Sequence, residues 1–255
     1  MLNYKLDQLQ DLHKDQPCFV VASGTSLHGQ PIKELKDSVC ITINAGIAKA
    51  PFADYFLTDD HDIQYWNYWN DILPNNDSKV LLYQRKPWSP INHIHKDRIY
   101  WFDHKCWYDN ITDKYYADGL LFTKEATEPL IGARNSAGSA VHLAYIMGCD
   151  PIILLGCDCC FVDNKKYFWQ FEGEPKVEKS LLGPPALMNP VYKTADYNGF
   201  TVDAYFFDFL KYWKALSKQA KEQKINILNA SGGALDCFEN IDIYDAIDKF
   251  VVKGV

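Results

Sequence analysis

The chain has 255 residues, enough for one large α/β domain or two small ones; its 47% hydrophobic content supports a real core, and its formal charge is −7. No run of Lys or Arg stands out, which argues against a nucleic-acid backbone as the main partner; a local basic groove stays open, because net charge does not report distribution. No window approaches the roughly 20 apolar residues of a membrane span, and the polar start Met1-Leu2-Asn3-Tyr4-Lys5-Leu6-Asp7 carries no signal peptide, so a cytoplasmic protein is expected.

Residues 3–14 read as a short amphipathic helix, with Leu6, Leu9 and Leu12 on one side and Pro17 after it. Cys18 to Ala22 is a buried strand, and Ser23-Gly24-Thr25-Ser26-Leu27 its exit turn. A short helix is expected over Gln30 to Lys36, with Pro31 at its first position. Val39 to Ile43 is a second strand, closed by Asn44 and Gly46; Ala45 to Ala50 makes one or two helical turns. Tyr55 to Thr58 is a third strand, ending in Asp59-Asp60, and a helix follows through Tyr65-Trp66-Asn67-Tyr68-Trp69. Lys79 to Tyr83 and Arg98 to Phe102 are further strands, and 103–134 is irregular.

The stretch Asn135 to Asp158 organises the rest. Asn135 or Ser136 can cap a helix, because a short side-chain oxygen accepts one of the first free N–H groups. Ala140, Leu143, Ala144 and Met147 recur at helical spacing, and Gly148 is a natural stop. Ile152 to Leu155 is an unbroken apolar run, as expected for a strand covered on both faces. Residues 160–200 are again irregular, and a stretch of that length in a compact domain is often a lid or binding loop. Asp203 to Gln223 is a long amphipathic helix, Ile225 to Leu228 a strand with exit turn Asn229 to Gly233, and Ile241 to Val251 a final helix. Strands alternating with helices indicate a Rossmann-like α/β fold: a mainly parallel sheet, helices on both faces and long irregular insertions. Nothing divides the chain, so 1–255 is read as one Rossmann-like domain with a lid at 160–200.

In such a sheet the strand ends converge on one edge. That edge would gather Ser23, Gly24, Thr25 and Ser26, then Asn44, then Thr58, Asp59 and Asp60, then Asn135, Ser136, Ala137, Gly138 and Ser139, and Asp158. Hydroxyls and free N–H groups there can hold phosphate. Ser-Gly-Thr-Ser is neither a dinucleotide fingerprint nor a P-loop, and alone it reads equally as a strand-to-helix turn. Asp60 is the preferred carboxylate for substrate or Mg²⁺, with Asp59 as a second metal ligand; the pair also reads as a helix cap. Asp158 can orient substrate, act as base, or cap the next turn. Lys165, Lys166 and Tyr167 can neutralise a leaving phosphate or form a solvated loop. His61 and His104 are candidate acids or bases, or plain surface residues. Tyr65 to Trp69, with Trp101, Trp107 and Tyr108, can stack a base or sugar ring, and part of that group is core. Of the 8 Cys, Cys18, Cys40 and Cys149 lie in or beside apolar segments as small hydrophobes. Cys157, Cys159 and Cys160 surround Asp158; no second cysteine pair with ligand spacing follows, so packing is expected.

The order of these residues resembles a group of nucleotide-dependent transferases: the motility accessory factor glycosyltransferases, the archaeal-type 6-hydroxymethylpterin diphosphokinases and, more distantly, bacterial lipooligosaccharide sialyltransferases. The likeness covers roughly 18–60, 131–160 and 225–238, and is most specific over 131–158 (Asn-Ser-Ala-Gly-Ser-Ala-Val-His-Leu-Ala, then Met-Gly-Cys-Asp-Pro-Ile-Ile-Leu-Leu-Gly-Cys-Asp). The resemblance implies a nucleotide held by Ser23 to Ser26, Asn44 and Asn135 to Ser139, with Tyr167 matching a tyrosine that assists the departing phosphate. The sialyltransferases place a base histidine ahead of the long C-terminal helix; here no His follows His142, and Asp196, Tyr197 and Asp203 occupy that neighbourhood. The first expectation is a glycosyltransferase using a nucleotide-activated sugar and an unidentified acceptor. The alternatives are an ATP- and Mg²⁺-dependent diphosphokinase and a non-catalytic nucleotide- or glycan-binding protein.

Overall fold

The computed structural model describes residues 6–84, 91–105, 122–126, 129–131, 135–179 and 193–251. Short apolar runs become strands because both of their faces are covered. In chain order these are β1 (Cys18–Val21), β2 (Val39–Ile43), the single-turn helix α1 (Gly46–Lys49), β3 (Tyr55–Thr58), β4 (Lys79–Tyr83) and β5 (Ile99–Phe102). The two-residue strands β6 (His104–Lys105) and β7 (Leu130–Ile131) pair with each other. Helix α2 (Ser136–Ile146) and β8 (Ile152–Leu155) follow, then the antiparallel hairpin β9 (Thr194–Tyr197) and β10 (Phe200–Asp203). The chain continues through α3 (Ala204–Gln223), β11 (Ile227–Asn229), β12 (Glu239–Asn240) and α4 (Ile243–Phe250).

Eight strands form one parallel sheet in the order β12-β11-β8-β1-β2-β3-β4-β5. From β1 the chain steps outward to β5, then returns to place β8 on the other side of β1. This is the Rossmann-like arrangement expected from the sequence. Its topological switch point lies between the carboxyl ends of β1 and β8, where open α/β sheets bind ligands.

The strand period of two sorts side chains into two layers. Val20, Ile41, Leu57, Leu81 and Leu154 face one core with Ala140 and Leu143 of α2 and Leu210, Trp213 and Leu216 of α3. Phe19, Val21, Phe56, Leu82 and Leu155 face the other with Ile47 of α1 and Ala246 and Ile247 of α4.

Local structure departs from the sequence expectation in four places. Among the described residues the N-terminal segment is a 3-10 turn over Leu6–Leu9, not a helix over 3–14. The helix expected over Gln30 to Lys36 is likewise a 3-10 turn, Ile32–Leu35. The aromatic segment after β3 is broken into a 3-10 piece (His61–Tyr65) and a π turn (Tyr68–Ile72). The break has a cause: the Asn67 N–H donates to the Glu178 carbonyl at 2.9 Å, and Trp66 bridges to Lys179, so this backbone pairs with a distant segment. Within 160–200, residues 193–200 contain β9 and the start of β10; residues 180–192 lie outside the described set.

One buried histidine fixes α2 to the chain before it. The Ile131 N–H donates to His142 Nδ1 at 2.9 Å, so the ring proton sits on Nε2 and donates to the Thr123 carbonyl at 2.8 Å. Phe122 stacks on the ring, centroids 4.6 Å apart. His142→Phe keeps the stacking volume and removes both bonds. It is expected to cost about 1–3 kcal/mol for each orphaned backbone group, read as a lower urea midpoint with an unchanged m value.

Candidate functional site

The carboxyl edge of the sheet is stitched by polar side chains from loop to loop. At the switch point, Asp158 leaves β8 and points into the β1 turn. Its Oδ2 accepts from the Thr25 hydroxyl at 2.8 Å and from the Ser26 N–H at 2.7 Å, and its Oδ1 accepts from the Ser26 hydroxyl. The backbones are close because Gly24 has no side chain: a Cβ there would lie 2.5 Å from Asp158 Oδ2 and 2.6 Å from the Gly156 carbonyl. Asp158 is 2% exposed. Burial pushes its carboxyl above the ordinary aspartate range, and the bonds from Ser26 and Thr25 pull against that without cancelling it. Asp158, Gly24, Thr25 and Ser26 are thus brought together, with the carboxylate bonded into the β1 turn.

The next tie joins β1 to β2, where the Ser23 hydroxyl donates to the Ile43 carbonyl at 3.4 Å. Asn44 takes a left-handed backbone (φ 50°), and its Oδ1 accepts from the Thr58 hydroxyl at 2.7 Å, joining β2 to β3. The Ser136 hydroxyl donates to Asp59 Oδ1, joining β3 to α2. Asp60 accepts from the Asp62 N–H at 2.9 Å and so caps the 3-10 turn after β3. Asn135 caps α2: its Oδ1 accepts from the Gly138 N–H at 2.7 Å. A Cβ on Gly138 would meet the Tyr212 hydroxyl at 2.6 Å, so glycine there lets α3 press against α2. Ser139 is fully buried one turn into α2. By helix geometry the N–H groups of Ser136 and Ala137 have no intrahelical acceptor.

Residues 161–179 do not stand off as a loop. They run as a strap across this edge. Phe168 is buried in the core and its N–H donates to the Ser23 carbonyl at 3.2 Å. Phe171 stacks on His28 at 4.4 Å between centroids. Glu174 accepts from His28 Nδ1 at 3.0 Å and the Gly29 N–H at 3.1 Å, and its other oxygen pairs with Lys49 at the end of α1. Farther on, the Asn67 amide N–H donates to the Lys176 carbonyl at 3.1 Å, and Asn67 Oδ1 accepts from the Glu178 N–H at 3.1 Å.

The strap is also fastened to α3. Lys166 Nζ bonds Asp203 Oδ2 at 2.6 Å, with side chains 8% and 3% exposed. Phe206 lies 4.5 Å from the ammonium, with Phe161, Tyr167 and Tyr205 farther around it. Burial lowers the Lys166 pKa from its ordinary value, and Asp203 opposes that. Asp203 Oδ1 also caps α3 by accepting from the Phe206 N–H at 2.8 Å. Lys166 is thus a buried fastening, and Lys165 lies over the Phe171 ring at 4.2 Å.

Tyr167 stacks flat on Trp169, with centroids 4.2 Å apart and planes at 6°. Trp169 meets Trp66 edge-on at 6.0 Å, and Trp66 stacks with Tyr68 at 6.4 Å. Burial first, then the charge of Asp60 and the neighbouring Tyr167, push the Tyr68 phenol well above its ordinary pKa. Asp60, Tyr68 and Tyr167 therefore share one corner of the edge, roofed by tryptophan. Lys179 faces Asp62 and Asp60 there; desolvation lowers its pKa and those charges act against it. Trp69 belongs to the core.

The side chains of His61 and His104, and residues Trp107 and Tyr108, lie outside the described set. Cys157, Cys159 and Cys160 are free and buried, and desolvation raises all three thiols. No three His, Cys, Asp or Glu side chains are grouped to hold a metal among the described residues. Asp59 and Asp60 are adjacent at the end of β3, and each carboxylate already accepts a bond, from the Ser136 hydroxyl and from the Asp62 N–H. No described helix is long and apolar enough to cross a membrane.

Sequence reasoning missed the Glu174–Lys49–His28 clasp and the pairing of Lys166 with Asp203 as parts of this edge. Their partners are distant in the chain, and no local spacing marks them.

No family model and no curated protein matches the chain. Among solved structures it is similar to the MAf glycosyltransferase from Magnetospirillum magneticum AMB-1, with a TM-score of 0.51 and 12% identity. The match covers 96% of this chain and 39% of that one, so the chain spans about two fifths of the neighbour's length. At that identity the likeness is one of fold.

Two outcomes test the strap. Lys166→Met leaves Asp203 charged and buried, and is expected to destabilise by about 3–5 kcal/mol in urea unfolding. Glu174 is held below the ordinary glutamate range: burial is the largest single influence and raises it, but the bonds from Lys49, Gly29 and His28 together outweigh it. A depressed carboxyl stabilises above its unfolded pKa of about 4.3 and loses that contribution as pH falls through the folded value. Tryptophan fluorescence from Trp66 and Trp169 is expected to report strap release on acidification below that range, with the step absent in Glu174→Gln.

Proposed function

We propose that the protein is a nucleotide-dependent transferase, specifically a glycosyltransferase using a nucleotide-activated sugar. One observation carries the reading. The carboxyl edge of a fully parallel sheet, with its switch point at the Ser23–Ser26 turn, also carries the polar turns at Asn44 and Asp59–Asp60 and the helix start at Asn135–Ser139. The fold likeness to the MAf glycosyltransferase supports it.

Within this reading the nucleotide lies across the edge. Its phosphate meets the start of α2, where the Ser136 and Ala137 N–H groups and the helix dipole favour negative charge. Ser23, Asn44 and Thr58 shape the floor beneath it, with Gly138 and Ser139 behind the helix start. Thr25, Ser26 and Gly24 act through their hold on Asp158, which positions the β1 turn. Asp60 orients the acceptor hydroxyl and takes its proton. Tyr167, beside Tyr68, donates to the departing phosphate as charge develops there. The aromatic corner of Trp66, Tyr167 and Trp169 offers ring faces for a sugar or base. Catalysis then rests on positioning and on electrostatic stabilisation of the leaving group.

The adjacent carboxylates Asp59 and Asp60 favour a second reading, diphosphoryl transfer from ATP. There Mg²⁺ would neutralise phosphate charge, with these two residues holding it.

A thermal-shift screen with CMP, UDP, GDP, ADP, ATP and sugar nucleotides, with and without Mg²⁺, separates the readings, because a ligand that binds only the folded state raises the melting point. A sugar nucleotide is expected to raise it, and Asn135→Ala to remove most of the shift. A shift with ATP only in the presence of Mg²⁺, lost in Asp60→Ala, would instead make the protein a diphosphokinase. Binding of a sugar nucleotide with no turnover across many acceptors would leave a binding protein, and no shift with any of them would end the nucleotide reading.

A further inference from the structure

The solvent face of α3 is a stripe of one sign. Lys211, Lys214, Lys218 and Lys221 are all exposed, spaced three, four and three residues apart. At 3.6 residues per turn they fall within an arc of about 80° and along about 15 Å of helix. Leu210, Trp213, Leu216 and Ala220 hold the opposite face in the core. Exposed Phe207 heads the same stripe, and Lys224 follows just past its end. Acidic groups stay at the flanks: Asp208 is half-buried, Glu222 lies at the edge, and Asp236 lies near Lys214.

The chain as a whole is acidic, with 33 Asp and Glu against 26 Lys and Arg. A solvated helix in such a chain ordinarily mixes signs, since opposite charges three or four residues apart stabilise it and like charges destabilise it. Here the three successive neighbour pairs along the stripe, Lys211–Lys214, Lys214–Lys218 and Lys218–Lys221, are like-charged, and opposite-sign pairs occur only at its two ends, Asp208–Lys211 and Lys218–Glu222. An anionic surface would relieve that repulsion.

A second feature adjoins the stripe. Four of the six large apolar side chains exposed among the described residues are Val162, Phe200, Tyr205 and Phe207. They sit at one corner. The bridge between Phe161 and Thr201 sets Val162 beside Phe200, and Tyr197 packs against Phe207 at 5.8 Å, joining the hairpin to α3. The Tyr197 hydroxyl bonds Lys214 at 2.6 Å, and Lys211 lies over Phe207 at 4.7 Å, so corner and stripe are continuous.

We propose that this face docks the protein on an anionic lipid bilayer, with the lysines at the headgroups and the apolar corner entering the headgroup–acyl boundary. Lysines on an amphipathic helix face are attracted to acidic headgroups, and interfacial binding sums that attraction with buried apolar area. The composition favours a bilayer over nucleic acid. The stripe holds no Arg, the side chain whose planar fork reads phosphate bidentately, and the apolar corner includes an aliphatic member, Val162, with no face on which a base stacks. The Lys166–Asp203 pair lies at this corner, so docking would set the carboxyl edge of the sheet close to the membrane. The proposal does not depend on the transferase reading.

The test is flotation of the full chain with phosphatidylcholine vesicles, with and without about 30 mol% phosphatidylglycerol, at low and high salt. Binding is expected to the anionic vesicles alone and to fall away at high salt. The Lys211→Gln/Lys214→Gln/Lys218→Gln/Lys221→Gln variant is expected to lose at least about a hundredfold in partition. A control variant, Lys33→Gln/Lys36→Gln/Lys96→Gln/Lys249→Gln, removes the same charge elsewhere and should bind as the parent does. Phe207→Ser with Val162→Ser should weaken binding at every salt concentration. Melting curves confirm that each variant is folded. Failure of the parent to float, or equal flotation of the stripe variant, overturns the proposal. Binding of poly(U) or duplex RNA through the same four lysines, without flotation, would overturn it too and assign the face to nucleic acid.

Discussion

The bond set around Asp158 is the constraint on which the rest of this edge depends. A parallel sheet leaves its carboxyl edge as a row of separate loops, each free to take its own conformation. Here the central pair of loops is locked by one buried carboxylate that accepts from Thr25 and Ser26, with Gly24 removing the side chain that would hold them apart. A buried carboxylate is expensive unless its oxygens are satisfied, so the β1 turn and the β8 exit determine each other. The ties through Asn44, Thr58, Asp59 and Ser136 extend the same logic outward from that centre.

The strap adds a second layer. Its contacts reach the β1 turn through Phe168, α1 through Glu174 and Lys49, and the segment after β3 through Asn67. Loops from three strands are thereby held at fixed spacing by a fourth segment that belongs to none of them. Edge chemistry needs such rigidity, because a displacement of about 1 Å at a reacting group can cost two orders of magnitude in rate.

Much of the fold was legible in the sequence because its signals are local. Runs such as Cys18 to Val21 and Ile152 to Leu155 need no partner to announce a buried strand. The cap at Asn135 and the stop at Gly148 announce α2 in the same way. The convergence of the polar turns followed from topology alone. The strap was not legible. Residues 160–179 carry no periodicity, since their order comes from partners such as Asn67, His28 and Asp203, distant in the chain. The same blindness explains the broken helix after β3: Trp66 and Asn67 have a helix-compatible pattern, and a tertiary backbone pairing overrides it. The role of Asp158 could be narrowed but not chosen, because the sequence shows that an acid ends β8 and not which donors face it.

The place of β1 in the sheet has a consequence for how the chain is made. β1 is the central strand and its four residues are fully buried, yet one of its two neighbours, β8, is a late arrival. The Thr25–Asp158 bond joins residues 133 apart in sequence. A nascent chain can lay β2 to β5 along one side of β1 while the other side remains an open apolar edge, the kind that recruits foreign strands. Contacts of such long separation also slow folding. The first strand of this sheet in chain order is thus among the last to be enclosed, and a fragment ending before Ile152 would keep that edge exposed.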